Sequence, residues 1–387
     1  MYPTLYDALL DLFGISIPVL KLIQSFGFFV AMAFLAAMYT LSSEIKRREK
    51  EGRLTGRLEK EWIGKPLEIS EYLISGFIGF ALGYKVIDIF LNFELATANT
   101  QDFILSSRGS LPGGLLFAVA GIYLTYREDP RFLKQEPKLT ERLVMPNEWV
   151  GNITMIAVVA GILGAKIFHN LENPQEFFQD PMGALTSFSG LTFYGGLICA
   201  AGCIIYYARI KGIKVLHLCD SVAPGLILAY GIGRMGCQVA GDGDWGIPND
   251  EPKPSWLSFM PDWAWAYDYP NNVHHINVKA DFISMGLESI TGKAYPTPLY
   301  EIAMSLLIFT GLWIFRKNFT TPGMLFSVYL VFNGLERFLI EQIRVNVKFD
   351  LLGMAVTQAQ VISTTLILLG VAGIAYLKKN PTKLAEW

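Results

Sequence analysis

Charge is what this chain has least of. Only 17% of its 387 residues are charged while 52% are hydrophobic, against about 25% charged in ordinary soluble domains. That excludes a large soluble core. Apolar runs of about 20 residues recur along the chain and mark a polytopic helical membrane protein. Cysteine is scarce as well. The four present, Cys199, Cys203, Cys219 and Cys237, all fall in predicted spans. They read as small buried apolar residues and not as a disulfide framework. A zinc site is not expected either, because His274 and His275 sit in a distant loop without a Cys-x-x-Cys partner. No metal, no cofactor and no nucleic-acid partner is expected. A cleavable signal peptide is not expected, since Asp7 and Asp11 precede the first apolar run and a basic cluster follows it. The net charge of −2 is uninformative, because the charges are segregated.

What the chain has is hydrophobic helix. The pattern predicts nine helices, at roughly 17–41, 70–92, 110–126, 148–169, 190–208, 217–240, 297–316, 322–343 and 355–377. The connection after the first carries Lys46, Arg47, Arg48, Lys50, Arg53, Arg57, Lys60 and Lys65, and the one after the third Arg127, Arg131, Lys134, Lys138 and Arg142. Arg209, Lys211 and Lys214 follow the fifth, Arg316 and Lys317 the seventh, Lys378, Lys379 and Lys383 the ninth. The alternate connections are poor in Lys and Arg. Positive-inside counting therefore places the amino terminus outside and the carboxy terminus in the cytoplasm.

The domain reading follows this order. Residues 1–69 hold the first span and a basic loop, 70–147 a helix pair with its cytoplasmic loop, 148–240 the central helices and 297–387 the last three. Residues 241–296, rich in Trp, Tyr, Pro and Asn, are expected to form a small outer head. Trp256, Trp263 and Trp265 there suit the headgroup level. Interfacial anchoring and substrate recognition both fit that head. Leu82–Asn92 followed by Gly113-Gly114 resembles Leu163–Asn173 followed by Gly195-Gly196, an internal repeat.

Arg234 stands where hydrocarbon is expected, and a guanidinium in a bilayer marks a functional site by default. Glycines at 231, 233, 236, 241, 243 and 246 surround it. The predicted topology brings other polar residues to the same outer leaflet: Lys166 near the end of the fourth helix, Tyr194 at the start of the fifth, Asp242 and Asp244 ending the sixth, Tyr300 and Glu301 opening the seventh. Glu336, Arg337, Glu341 and Arg344 fall in the outer half of the eighth. Arg337, Glu341 and Arg344 are spaced for one helical face. Two readings fit them: a self-neutralising ladder between Glu341 and Arg344, or a clamp in which Arg234 and Arg337 grip a lipid phosphate with bidentate geometry.

Four ordered motifs carry a resemblance. G-L-T-F-Y-G-G-L (190–197), G-R-M-G-C-Q-V-A-G-D-G-D-W-G (233–246), Y-P-T-P-L-Y-E (295–301) and R-F-L-I-E-Q-I-R (337–344) resemble the prolipoprotein diacylglyceryl transferase family. The resemblance covers the first helix and about residues 148 to 377, so 70–126 looks like two inserted spans. It implies transfer of a diacylglyceryl group from phosphatidylglycerol to the lipobox cysteine of a preprolipoprotein, at the outer face of the bacterial inner membrane. It implies Tyr194, Arg234, Arg337 and Glu341 as catalytic positions. Lys166, Gly195, Gly196, Cys237, Asp242, Gly246, Tyr300 and Arg344 are the implied substrate-binding positions. Membrane lipids are the other expected partners.

This chain departs from the family where protons are handled. Tyr194 replaces a histidine, Cys237 an asparagine, Asp242 with an extra residue a glutamate, and Pro296–Pro298 reads P-T-P in place of a proline-serine-glutamine motif. His169 offers a substitute base or an interfacial anchor. Two functions remain open on sequence: a diverged transferase, and a non-catalytic phospholipid-binding or lipid-transporting paralogue of the same fold.

Overall fold

The computed structural model describes residues 1–130, 137–186, 192–346, 348–351 and 353–380. Arg131, Lys134, Lys383, Gly190 and Leu191 lie outside the described residues. Among the described residues nine helices reach 17 residues or more: α1 Ser25–Lys50, α2 Ile69–Leu91, α3 Leu111–Glu128, α4 Val150–Glu172, α5 Phe193–Lys211, α6 Val215–Ala240, α7 Thr297–Phe315, α8 Met324–Ile340 and α9 Gln358–Lys379. Six stretches, those holding α1, α2, α4, α6, α7 and α9, are long and apolar enough to cross a membrane. A mostly helical chain with six candidate spans is consistent with a polytopic helical membrane protein.

Three local expectations change. The first long helix begins at Ser25, because Pro18–Leu22 is a 3-10 turn. It continues to Lys50 through the basic cluster. There Arg47 pairs with Glu44 at 2.7 Å and Glu51 at 2.6 Å, helical spacings that stabilise the last turns. Next, α8 stops at Ile340 and passes into a 3-10 turn at Glu341–Ile343, which takes Arg344 off the helical face. Finally, two short antiparallel strand pairs stand beside the helices. Strand β1 Arg57–Ile63 pairs antiparallel with β2 Lys138–Val144, and β3 Lys348–Leu351 with β4 Met354–Thr357.

The chain forms two compact units, Met1–Thr55 with Trp149–Thr154 and Tyr207–Trp387, and Gly56–Glu148 with Met155–Tyr206. In the first, α6 packs on α1 and α7, and α8 on α9. Ile227, Leu312 and Leu325 join α6, α7 and α8 in a buried cluster edged by Tyr230, Ile308, Phe309, Val328 and Tyr329. Residues 241–296 fold around Trp245, Tyr269, Val278, Phe282 and Ala294. Trp256 and Trp263 are exposed, while the Trp265 indole donates to the Glu251 carbonyl at 2.9 Å.

In the second unit α2 packs on α3, with Gly83 against the Gly113 carbonyl. Gly164 of α4 meets the Gly195 carbonyl of α5 in the same way. Corresponding hydrogen bonds recur: Ser110 N to Tyr84 O at 2.8 Å and Thr192 N to Ala165 O at 3.1 Å, Asn92 N to Asp88 O at 2.9 Å and Asn173 N to His169 O at 2.9 Å.

Candidate functional site

The site is built at one end of three helices in the first unit. Arg234 comes from the last turns of α6. That helix ends at Gly241, whose φ of 66° is the left-handed conformation glycine adopts without strain. The reversal carries Asp244 back onto the Arg234 guanidinium, with which it is paired. Glu301 enters from the start of α7 and is wholly buried.

Arg337 comes from the end of α8. Arg344 follows the 3-10 turn, where its backbone bridges to Gly246. A side chain on Gly246 would stand 2.4 Å from the Ile343 carbonyl, so only glycine lets these two segments meet.

Glu301 is the hub. Arg234 Nε lies 3.1 Å from its Oε2, Arg337 Nη1 3.3 Å from its Oε1, and Arg344 Nη1 3.6 Å from Oε1. The Tyr230 hydroxyl donates to Oε1 at 2.8 Å, and the Arg234 guanidinium lies over the Tyr230 ring, 5.1 Å from its centroid. Arg344 Nη2 reaches Asp244 Oδ1 at 2.6 Å, so Asp244 bridges Arg234 and Arg344. Glu341 pairs with Arg337 at 3.0 Å and accepts from Asn346 at 2.6 Å.

The ladder between Glu341 and Arg344 is therefore not what forms. Arg344 turns to Asp244 and Glu301 instead. Each guanidinium is matched by carboxylates. With five N–H donors each, the three still have donors to offer, and Arg344 Nε and Nη1 are buried without a hydrogen-bond partner among the described residues.

The other expected residues are placed as follows. Cys237 is buried, its Sγ 3.7 Å from Arg234 Nη1. Asp242 accepts from the Asp244 N–H at 3.3 Å, and His274 Nε2 lies 2.9 Å from the Asp242 carbonyl. The arginine partner is thus Asp244 and not Asp242. Burial, then the charge of Asp244, raises the Asp242 carboxyl above the usual range. Burial opposes ionisation of Asp244 too, but Arg234 and Arg344 outweigh it and hold that carboxyl below its usual range. Cys237, Asp242 and Asp244 are close enough together to ligate a metal, but Arg234 already contacts two of the three.

The Tyr300 hydroxyl donates to the Ala264 carbonyl at 3.0 Å, tying α7 to the 241–296 segment. Lys166, Tyr194, Gly195 and Gly196 belong to the second unit. Lys166 is buried on α4, and Tyr194 is half-buried in the first turn of α5. Gly195 and Gly196 let α5 approach the Gly164 and Gly161 carbonyls. His169 Nδ1 lies 3.3 Å from the Asn173 amide nitrogen, a local contact within the end of α4.

Sequence reasoning gave no role to Glu301, Asp244 or Tyr230. A signal existed for Glu301, a lone acid within an otherwise apolar helix. None separated Asp244 from Asp242.

Long helices, two of the three of membrane-crossing length, that gather arginines and carboxylates at one end define a polytopic membrane protein with a buried charged site. The family model for prolipoprotein diacylglyceryl transferase matches residues 133–376, and the chain belongs to that family. Relatives named phosphatidylglycerol–prolipoprotein diacylglyceryl transferase are similar to it. The protein of Corynebacterium efficiens is 30% identical over 244 residues, 62% of this chain and 71% of the relative. That of Corynebacterium glutamicum is 29% identical over 204 residues, 51% of this chain and 60% of the relative. That of Clostridioides difficile is 29% identical over 252 residues, 64% and 87%.

Proposed function

We propose that this protein moves a diacylglyceryl group from phosphatidylglycerol to the lipobox cysteine of a preprolipoprotein and releases glycerol phosphate. The observation that carries this reading is the convergence of Arg234 and Arg337 on one buried carboxylate. Fixed cations in a water-poor site act most strongly on charge that develops during reaction, here on the leaving phosphate. Glu301, fully buried, stays in place and sets the two guanidinium planes. Asp244, 33% exposed and bridging Arg234 and Arg344, holds the seat that a lipid phosphate takes, because both accept from guanidinium through paired oxygens.

Glu341 orients Arg337. Gly246 sets Arg344, and Cys237, Asp242 and Tyr300 shape the surrounding wall. Tyr194, Lys166, Gly195 and Gly196 are assigned by the family motif alone, Tyr194 as a catalytic position and the others as substrate-binding ones. In this reading nine spans cross the bacterial inner membrane, the amino terminus is outside, the site faces the periplasmic side, and residues 70–147 are an inserted helix pair with its loop. The transferase names of the relatives weigh against a non-catalytic lipid-binding paralogue.

Mass spectrometry of a lipobox peptide incubated with purified protein and phosphatidylglycerol tests the proposal. A diacylglyceryl-modified peptide, lost in Arg234→Ala, is expected. No product from the wild type, with phosphatidylglycerol still bound, would retire the enzyme reading.

A further inference from the structure

Glu336 makes no hydrogen bond or ion pair with the network around Glu301 among the described residues. It is 3% exposed, and neither carboxylate oxygen has a hydrogen-bond partner among the described residues. The acids around it are engaged: Glu301 by three guanidiniums and a phenol, Glu341 by Arg337 and Asn346, Asp244 by Arg234 and Arg344. A bare buried carboxylate is costly as an anion, and such orphaned groups in native proteins call for an explanation, catalysis among them.

Its position is set by helix geometry. Glu336 shares a stripe of α8 with Leu325, Tyr329 and Ile340, at spacings that stack on one face. Leu325 packs in the cluster with Ile227 of α6 and Leu312 of α7, so this stripe faces α6 and α7. Glu336 is also one residue from Arg337. The charged and titratable groups acting on it come from each of these elements: Tyr230 and Arg234 on α6, Glu301 on α7, Tyr329 and Arg337 on α8, and Arg344 beyond it. On α7, Ser305 lies one turn from Glu301, buried, its Oγ likewise without a partner.

We infer that Glu336 is the proton acceptor for the substrate thiol, an inference that rests on the transferase reading. The thiolate is the nucleophile, and a free cysteine with a pKa of about 8.5 needs a base to supply it at neutral pH. Carboxylates gripped by guanidiniums accept protons poorly. Of the two acids at this end of the helices outside such a grip, Asp242 accepts from the Asp244 N–H, while both oxygens of Glu336 are without a hydrogen-bond partner among the described residues. The step balances. The S–H proton passes to the Glu336 carboxylate and the sulfur electron pair forms the C–S bond to the glycerol carbon. The C–O bond breaks with its electrons leaving on the phosphate. Glu336 then gives its proton to the glycerol phosphate and is restored.

The test compares wild type, Glu336→Gln and Glu336→Asp as full-length protein in phosphatidylglycerol-containing vesicles with a lipobox peptide. The readouts are kcat and both KM values across pH. In Glu336→Gln, kcat is expected to fall by about 10²–10⁴-fold, the usual contribution of a general base, with the phosphatidylglycerol KM unchanged. The residual rate should climb with pH as the peptide thiol ionises by itself, and Glu336→Asp should recover part of the loss. Wild-type kcat and pH profile in Glu336→Gln would overturn the inference. So would equal losses in Glu336→Gln and Glu336→Asp with no change in the shape of the pH profile, since that marks a packing role. A wild type that makes no product overturns the transferase reading, and this inference with it.

Discussion

Arg234 and Arg337, from two different helices, close on opposite oxygens of one carboxylate, at 3.1 Å and 3.3 Å from Glu301. Neither guanidinium can be re-aimed without disturbing the other, so the pair behaves as one preorganised unit. Preorganisation of this kind removes the reorganisation cost at the moment charge appears on a leaving group.

Replacing either arginine by lysine keeps the charge and loses the planar fork. Arg234→Lys and Arg337→Lys are each expected to lower kcat/KM by about 10²-fold or more, the scale of a lost oxyanion donor. Steady-state kinetics with phosphatidylglycerol varied checks this. Activity within twofold of wild type would mean that a point charge suffices.

Removing the hub should damage the fold as well as the reaction. Glu301→Ala leaves three guanidiniums facing each other with a buried partner missing, which costs about 3–5 kcal/mol for pairs of this kind. Thermal unfolding in detergent should show a clear drop in Tm. An anionic lipid should recover part of it by supplying the missing charge.

Asp244 and Asp242 should respond oppositely to pH. The Asp244 carboxyl is held below its usual range by Arg234 and Arg344 against burial. Its ionisation therefore adds stability above the unfolded carboxylate pKa of about 3.9, and that contribution is lost as pH falls through the depressed value. Asp242, raised by burial and by Asp244, costs stability when ionised. Asp244→Asn is expected to lower Tm at neutral pH and to converge with wild type in acid, while Asp242→Asn raises Tm or leaves it unchanged. Tm measured against pH for both variants gives the signs.

Much of this was legible in the sequence. Twenty-residue apolar runs betray helices directly, and arginines inside them stand out because hydrocarbon makes them costly. Glu301 is placed at the right face by sequence, but its role as the shared partner of the arginines is not legible there, because near a predicted helix end an acid looks like a boundary residue. The choice of Asp244 over Asp242 depends on the left-handed turn at Gly241, and two aspartates in a glycine-rich turn look alike before that turn is known. Arg344 was misplaced because E-Q-I-R holds no glycine or proline to announce the end of α8. The pairing of β1 with β2 joins segments far apart in the chain, which no local pattern encodes.

Lys85 offers a control away from the arginines. Its Nζ donates to the carbonyls of Phe103 at 3.1 Å, Ser106 at 2.5 Å and Arg108 at 2.7 Å. Bonds from a charged donor contribute about 1.5–3 kcal/mol each at most. Lys85→Met is expected to lower Tm by several degrees and leave the phosphatidylglycerol KM unchanged. A raised KM would give this helix pair a part in lipid binding.

The most direct test is a cryo-electron microscopy map of the protein in phosphatidylglycerol nanodiscs. The expected result is a phosphate within hydrogen-bond distance of both Arg234 and Arg337, with Asp244 displaced from its bridge and Glu301 in place. A headgroup resolved elsewhere, with both guanidiniums still closed on Glu301 and Asp244 still bridging, would contradict the account.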